Sequence, residues 1–173
     1  MKPIRFALGL GLALAAAPAL AQQAPAAPVS ATSPDGTLRV TLTIDGDGRA
    51  AYAISRKDKP ILAPSRLGFL FTDVAKIDRR LVVTGTEVRD ADDAWTQPWG
   101  EWASIRNRFR ELKVHLKETS ALARVFTVTF RLYEDGVGFR YEFPEQPNMA
   151  RTNVAEELTE FAFAQDGTAW WKP

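Results

Sequence analysis

Carboxylates, a single histidine and five tryptophans are the side chains of this 173-residue chain best able to do chemistry, and their spacing limits what that chemistry is. Asp45 and Asp47 sit in a glycine-containing turn, as the first ligands of an EF-hand loop do. Arg49 stands where that pattern needs a third oxygen ligand and Arg56 where it needs the distal glutamate, so a turn is expected rather than a calcium loop. Asp90, Asp92 and Asp93 admit two readings, a cation site or a solvated loop. Hydrolysis of a glycosidic bond by a carboxyl pair requires the two carboxyls to be held roughly 5–9.5 Å apart across the sugar. Adjacent aspartates give no sign of that geometry, so a solvated loop is expected and no acid–base pair is assigned. His115 alternates with Leu112, Val114 and Leu116 and falls on the polar side of a predicted strand, where it reads as a surface residue. With one His and no Cys, zinc sites and Ser-His-Asp arrangements have little to build on.

The stretch from Trp95 to Glu111 is the part least explained by ordinary folding, because it concentrates three of the five tryptophans. Pro98 and Gly100 interrupt both helical and strand periodicity there. One reading buries the indoles in the domain's own core, the usual fate of a large apolar body with one N–H. The other places them on a partner surface or a sugar, where Trp stacks on an apolar face while Glu, Arg and Asn hydrogen-bond at the rim. The candidate domain-interface or sugar-proximal residues are therefore Trp95, Trp99, Glu101, Trp102, Arg106 and Asn107. On the interface reading, Glu101 and Arg106 are expected unpaired at the rim of an exposed apolar patch.

These residues must be positioned by a fold, and composition bounds it. A chain 46% hydrophobic and 25% charged is an ordinary globular domain with one core. Residues 1–21 depart from that composition: Lys2 and Arg5 precede an apolar run from Phe6 to Ala17, and Ala19-Leu20-Ala21 has the small-x-small form of a cleavage site. This reads as a secretory signal peptide, too short to span a bilayer, so an exported product, periplasmic or secreted and off the membrane, is expected. Losing Lys2 and Arg5 leaves 20 basic residues against 21 acidic, a formal charge of −1. A near-neutral, mixed surface offers no basic stripe, and nucleic acid is not expected as a partner. Residues 22–31, rich in Ala, Pro and Gln, read as a flexible tail, and residues 32–173 as the folded domain.

Strand signals recur at intervals of about ten residues without any sustained helical period, the mark of an all-β, antiparallel β-sandwich. Leu38, Val40, Leu42 and Ile44 alternate with polar residues, Asp45 to Gly48 turns the chain, and Ala50, Tyr52 and Ile54 return it. Further strands are expected at Ile61-Leu62, from Leu67 to Thr72 after a break at Pro64, from Leu81 to Arg89, and from Leu158 to Phe163. In the hairpin from Val125 to Phe143, Asp135-Gly136 is read as a two-residue type I′ turn. That register sets Leu132 opposite Phe139, Phe130 opposite Tyr141 and Val128 opposite Phe143, with all six side chains on one face. It also sets Arg131 opposite Arg140, a like-charge pair that costs stability unless acids intervene. The chain stops at Trp170-Trp171-Lys172-Pro173 in mid-pattern, which reads as truncation.

An ordered set of segments resembles the N-terminal domain of glycoside hydrolase family 97: Ser33 to Gly36, Pro64 to Gly68, Trp95 to Glu101, Ile105 to Asn107, Phe130 to Pro144 and Trp171 to Pro173. The resemblance implies a large β-supersandwich of the galactose-mutarotase type, incomplete here, packed on a (β/α)₈ barrel that would follow in the intact protein. It further implies a calcium-dependent, exo-acting α-glucosidase or α-galactosidase acting on an α-linked oligosaccharide. Its acid, its base or nucleophile and most calcium ligands would lie in the barrel, and one further calcium-binding glutamate shortly after this chain ends. No catalytic or metal residue is thus carried onto this sequence, and the chain alone is expected to be inactive. The competing expectation is a freestanding periplasmic carbohydrate-binding module, which a natural stop codon after Pro173 would favour.

Overall fold

The computed structural model describes residues 27–168 and residue 170. The expected signal peptide and residues 22–26 of the expected tail lie outside them. Ten strands and one 3₁₀ turn (Pro147–Met149) make up the regular structure of the described residues. One antiparallel sheet has the order β1 (Val29–Thr32), β2 (Leu38–Ile44), β3 (Ala50–Arg56), β4 (Lys59–Arg66). The fold thus begins at Val29, three residues inside the stretch that composition assigns to the tail, because Val29 to Thr32 pair with Leu42 to Arg39 and Ala31 is buried. A ribbon of β5 (Phe69–Phe71) and β10 (Val154–Glu157) closes one end. The second sheet has the order β6 (Leu81–Thr96), β7 (Ser104–Glu118), β8 (Val125–Leu132), β9 (Val137–Glu142).

Alternation explains why the two sheets stack. Val40, Leu42 and Tyr52 point inward from the first sheet, and Leu112, Val114, Leu116, Phe126, Val128, Phe130 and Leu132 from the second. A fully buried side chain of this size contributes about 1.5–3 kcal/mol, so this double layer holds the sandwich together. Tyr52 stands at its centre, its ring 5.1 Å from Phe139 and 6.0 Å from Phe130 between centroids. Its hydroxyl donates to the Glu160 carbonyl at 2.9 Å, satisfying the one polar atom that burial would otherwise strand.

The turn from Asp45 to Arg49 is built by its own aspartates. The Asp45 carboxylate accepts the N–H groups of Asp47 and Arg49, and the Arg49 guanidinium lies 3.1 Å from Asp47. Gly48 is required there: its φ is +73°, and a Cβ would meet the Arg80 and Leu81 backbone at 2.6–2.7 Å. That close approach roots β6 on the first sheet through the Arg80 N–H to Asp47 and Leu81 N–H to Gly48 carbonyl bonds.

Four sequence expectations are corrected. Pro64 does not break the strand, since β4 runs through it with irregular pairing to β3 at that point and only Phe69–Phe71 of the expected Leu67–Thr72 strand is laddered. Leu158 to Phe163 is not a strand; it lies antiparallel beside β4 through spaced bonds such as Ala63 N–H to the Ala162 carbonyl, while the ladder falls earlier, in β10. The carboxylates Asp90, Asp92 and Asp93 are in β6 rather than a loop. In the β8–β9 hairpin, Leu132 faces Val137, Phe130 faces Phe139 and Val128 faces Tyr141. The slip is of two residues, so the apolar face survives intact.

The turn is centred on Glu134-Asp135, and neither these nor Gly136 has a positive φ, which excludes the type I′ geometry. The slip separates Arg131 from Arg140. Arg131 faces Gly138, whose missing side chain leaves room, and its guanidinium turns instead over Phe109 and toward Glu111.

Candidate domain interface on a projecting hairpin

β6 and β7 pair along their whole length, from Leu81 opposite Glu118 to Thr96 opposite Ser104. β8 joins β7 only between Arg110 and Lys117. Residues 91–96 and 104–109 therefore leave the sandwich as a two-stranded arm. Such a ribbon is marginal alone, and here it is laced by charge. The register puts Asp90 opposite Arg110 and Asp92 opposite Arg108. Arg110 and Arg106 each make two bonds to a carboxylate, Arg110 to Asp90 at 2.6 and 3.0 Å and Arg106 to Asp92 at 2.8 and 2.6 Å. Arg108 reaches Glu134 at 2.9 Å. The hydrogen bonds from Arg110 and Arg106 lower the pKa values of Asp90 and Asp92. Exposed pairs of this kind contribute little singly, but opposite charges facing one another along both strands favour this register over its neighbours.

At the root of the arm the outer face of the sheet carries a tighter arrangement. Glu111, only 2% exposed, accepts from Arg89 at 2.6 Å and from Arg131 at 2.8 Å. Both guanidinium groups lie over the ring of Phe109, at 5.4 and 4.5 Å from its centroid. The bonds from Arg89 and then Arg131 overcome the desolvation of Glu111 and hold its pKa at about 2 instead of 4.5. A depressed folded value contributes stability that is full above the ordinary carboxylate pKa and disappears as pH falls through about 2. We expect Glu111→Gln to cost on the order of 2–3 kcal/mol near pH 6 and progressively less below pH 4, as read by urea unfolding of both proteins across that range.

The tip spans residues 97–103. Gln97 closes it twice, its N–H donating to the Ala103 carbonyl at 3.1 Å and its side-chain amide to the Trp102 carbonyl at 2.9 Å. Gly100 has a φ of +117°, and a Cβ there would strike the Gln97 amide nitrogen at 2.7 Å. The local geometry turns the indoles outward: Trp95 is 50%, Trp99 82% and Trp102 67% exposed. Among the described residues, none of the three indoles is buried in the core.

Of the candidate residues, Trp95 lies in β6, Arg106 and Asn107 in β7, and Trp99, Glu101 and Trp102 on the tip. Glu101 is exposed and makes no ion pair among the described residues. Arg106 is not unpaired as expected, because Asp92 sits diagonal to it on the same face. Asn107 accepts from the Tyr133 hydroxyl at 3.3 Å. Sequence reasoning missed Glu111 and its two arginines, which meet only through the β6–β7 and β7–β8 registers. Among the described residues, no group of three or more His, Asp or Glu is placed to hold a metal, and no helix is long and apolar enough to cross a membrane.

Fold and surface together define an antiparallel β-sandwich module with an aromatic-tipped arm of two strands. The chain belongs to the glycosyl-hydrolase 97 N-terminal family, whose model matches residues 31–173. It is similar to a probable retaining α-galactosidase from Streptomyces bingchenggensis, with 29% identity over 143 residues, 83% of this chain and 21% of that one. Among solved structures it is similar to a glycoside hydrolase family 97 enzyme from Pseudoalteromonas sp. strain K8 in complex with acarbose, at 30% identity and a TM-score of 0.75 over 79% of this chain and 20% of that one. A β-arabinopyranosidase structure superposes at 28% identity and a TM-score of 0.70, over 78% and 21% of the respective chains. The chain thus spans about a fifth of the length of these relatives.

Proposed function

We propose that this chain is the N-terminal accessory domain of an exported, calcium-dependent, exo-acting α-glycosidase, of α-glucosidase or α-galactosidase type. Its β6–β7 arm docks on a following (β/α)₈ catalytic barrel and helps to shape the active site. The observation that carries this reading is the arm itself, three exposed tryptophans on a ribbon that leaves the sandwich, in a chain of this family. An apolar surface of that kind, rimmed by Glu101 and Arg106, has the make-up of an interface. On this reading the calcium ligands and the reacting carboxylates belong to the catalytic domain that would follow, as the family resemblance implies.

The chain ending at Pro173 is expected to release no nitrophenol from aryl α-glucosides or α-galactosides, with or without calcium, because on this reading the carboxyl pair that glycoside hydrolysis needs lies in the following catalytic domain. The same chain continued through its catalytic domain is expected to do so and to lose the activity in EDTA. Calcium-dependent turnover by the clean 173-residue protein would overturn the assignment. The second reading, a freestanding periplasmic sugar-binding module, draws on the same exposed indoles. It requires saturable binding of an α-linked oligosaccharide by the 173-residue chain, abolished by Trp99→Ala.

A further inference from the structure

Between the segment that leads into β6 and the connection from β7 to β8 lies a cavity of about 380 Å³ that shares no residue with the arm. Its buried side is the pair of Arg124 and Glu118, whose side chains are 1% and 5% exposed. Toward solvent it is lined by Lys76, Arg79 and Arg80. The one further carboxylate there, Asp78, is shared by Lys76 at 2.9 Å and Arg79 at 3.2 Å. Four cations thus line the cavity with two carboxylates. Glu118 matches Arg124, Asp78 is divided between two partners, and Arg80 makes no ion pair among the described residues.

Arg80 is also held in an unusual conformation. Its φ is +59°, in the left-handed region that a bulky side chain rarely adopts. Three backbone bonds impose it: the Arg80 N–H donates to the Asp47 carbonyl at 3.0 Å, and the Arg80 carbonyl accepts the Thr119 N–H at 2.7 Å and the Thr119 hydroxyl at 3.1 Å. Those bonds ask nothing of the side chain, and glycine would meet them at lower cost. A long cation kept there against that preference points to a use for its guanidinium.

Ser120, which lines the same cavity, carries a second sign. Its hydroxyl oxygen is the one buried side-chain polar atom among the described residues without a hydrogen-bond partner. A buried donor left over in this way calls for a partner that the chain does not itself supply. The remaining wall, from Ala75, Ala121 and Leu122, offers only apolar side chains.

We infer that this cavity binds a small organic oxyanion, a carboxylate or phosphate carried on a body of about monosaccharide size. Arg80, with Arg79 and Lys76 beside it, takes the anionic group, since guanidinium donors match carboxylate and phosphate oxygens. Ser120 supplies a hydroxyl donor, and the apolar wall covers the body. Size argues for that body: the volume falls in the range of small-molecule sites, and a bare inorganic anion would leave most of it unfilled.

Calorimetric titration of the 173-residue protein tests this, with acidic monosaccharides as probes in a chain of a glycoside-hydrolase family. Glucuronate or glucose 6-phosphate is expected to bind saturably, at least about tenfold more tightly than inorganic phosphate, and more weakly as salt is raised. Uncharged glucose should not bind there. Arg80→Gly should weaken binding by about tenfold or more, the effect of losing a charged hydrogen bond, while its melting point stays the same or rises as the strain is relieved. Ser120→Ala should weaken binding without lowering the melting point, and Lys59→Ala, an exposed cation on β4, should change neither. No saturable binding of either acid at millimolar concentration overturns the inference, as does binding that Arg80→Gly leaves intact. Equal affinity for inorganic phosphate, or for glucose, overturns the organic anion as the ligand. None of these outcomes depends on catalysis, so the inference and the glycosidase reading fail separately.

Discussion

Arg124→Ala is expected to cost the domain about 3–5 kcal/mol, the usual effect of stranding one member of a buried ion pair. Arg124 lies at the short connection between β7 and β8, fully buried with Glu118, and donates to its carboxylate at 2.6 and 2.9 Å. The same guanidinium donates to the Ala75 and Lys76 carbonyls at 2.7 and 3.2 Å and lies 5.6 Å from the centroid of Phe71. One side chain thus ties the segment that leads into β6 to the far end of β7. Truncation removes four bonds and leaves the Glu118 carboxylate in a site only 5% exposed. Thermal unfolding should show a fall of roughly 10 °C or more. Replacing both partners, Arg124→Met with Glu118→Leu, should recover much of the loss, because no charge is then left unpaired. A fall of less than about 1 kcal/mol for Arg124→Ala would mean that the pair only breaks even against its desolvation.

That clamp was not legible in the sequence, and the reason is physical. Glu118 and Arg124 are close in the chain, but nothing in their spacing says that both are covered by the 72–80 segment. Hydrophobic alternation, by contrast, specifies β2, β3, β7 and β8 well, because each has one face on the core and a one-residue slip would turn that face to solvent. The β8–β9 register shows the limit of this reasoning. Alternation fixes parity and cannot distinguish pairings two residues apart. The choice fell to the room that Gly138 gives Arg131 and to the pull of Glu111, a residue on a third strand.

The arm failed for a related reason. Beyond Arg89 the strands have no core to face, so their period of two appears in charge rather than in apolar residues. Asp90 and Asp92 share one face with Arg106, Arg108 and Arg110. That repeat of every second residue was the available signal for a strand, and a search for hydrophobic periodicity passes over it. The expectation that the tryptophan run is special needed no register, because Pro98 and Gly100 beside clustered indoles already conflict with ordinary strand or helix patterning.

Trp99→Ala should therefore separate two proteins that share this domain. In the 173-residue chain Trp99 is 82% exposed, so its loss should change stability by no more than about 0.5 kcal/mol. If the arm docks on the catalytic barrel, the same substitution in the continued protein removes an aromatic anchor, and such anchors cost about 2 kcal/mol or more when truncated. Domain association or activity should then fall by roughly thirtyfold, while Glu101→Gln at the rim should have a smaller effect. Acrylamide quenching supplies the structural readout: indoles accessible in the 173-residue chain should become shielded in the continued one. Equal, high accessibility in both proteins, with undiminished activity of Trp99→Ala, would remove the arm from the interface and leave its tryptophans to a ligand in solution.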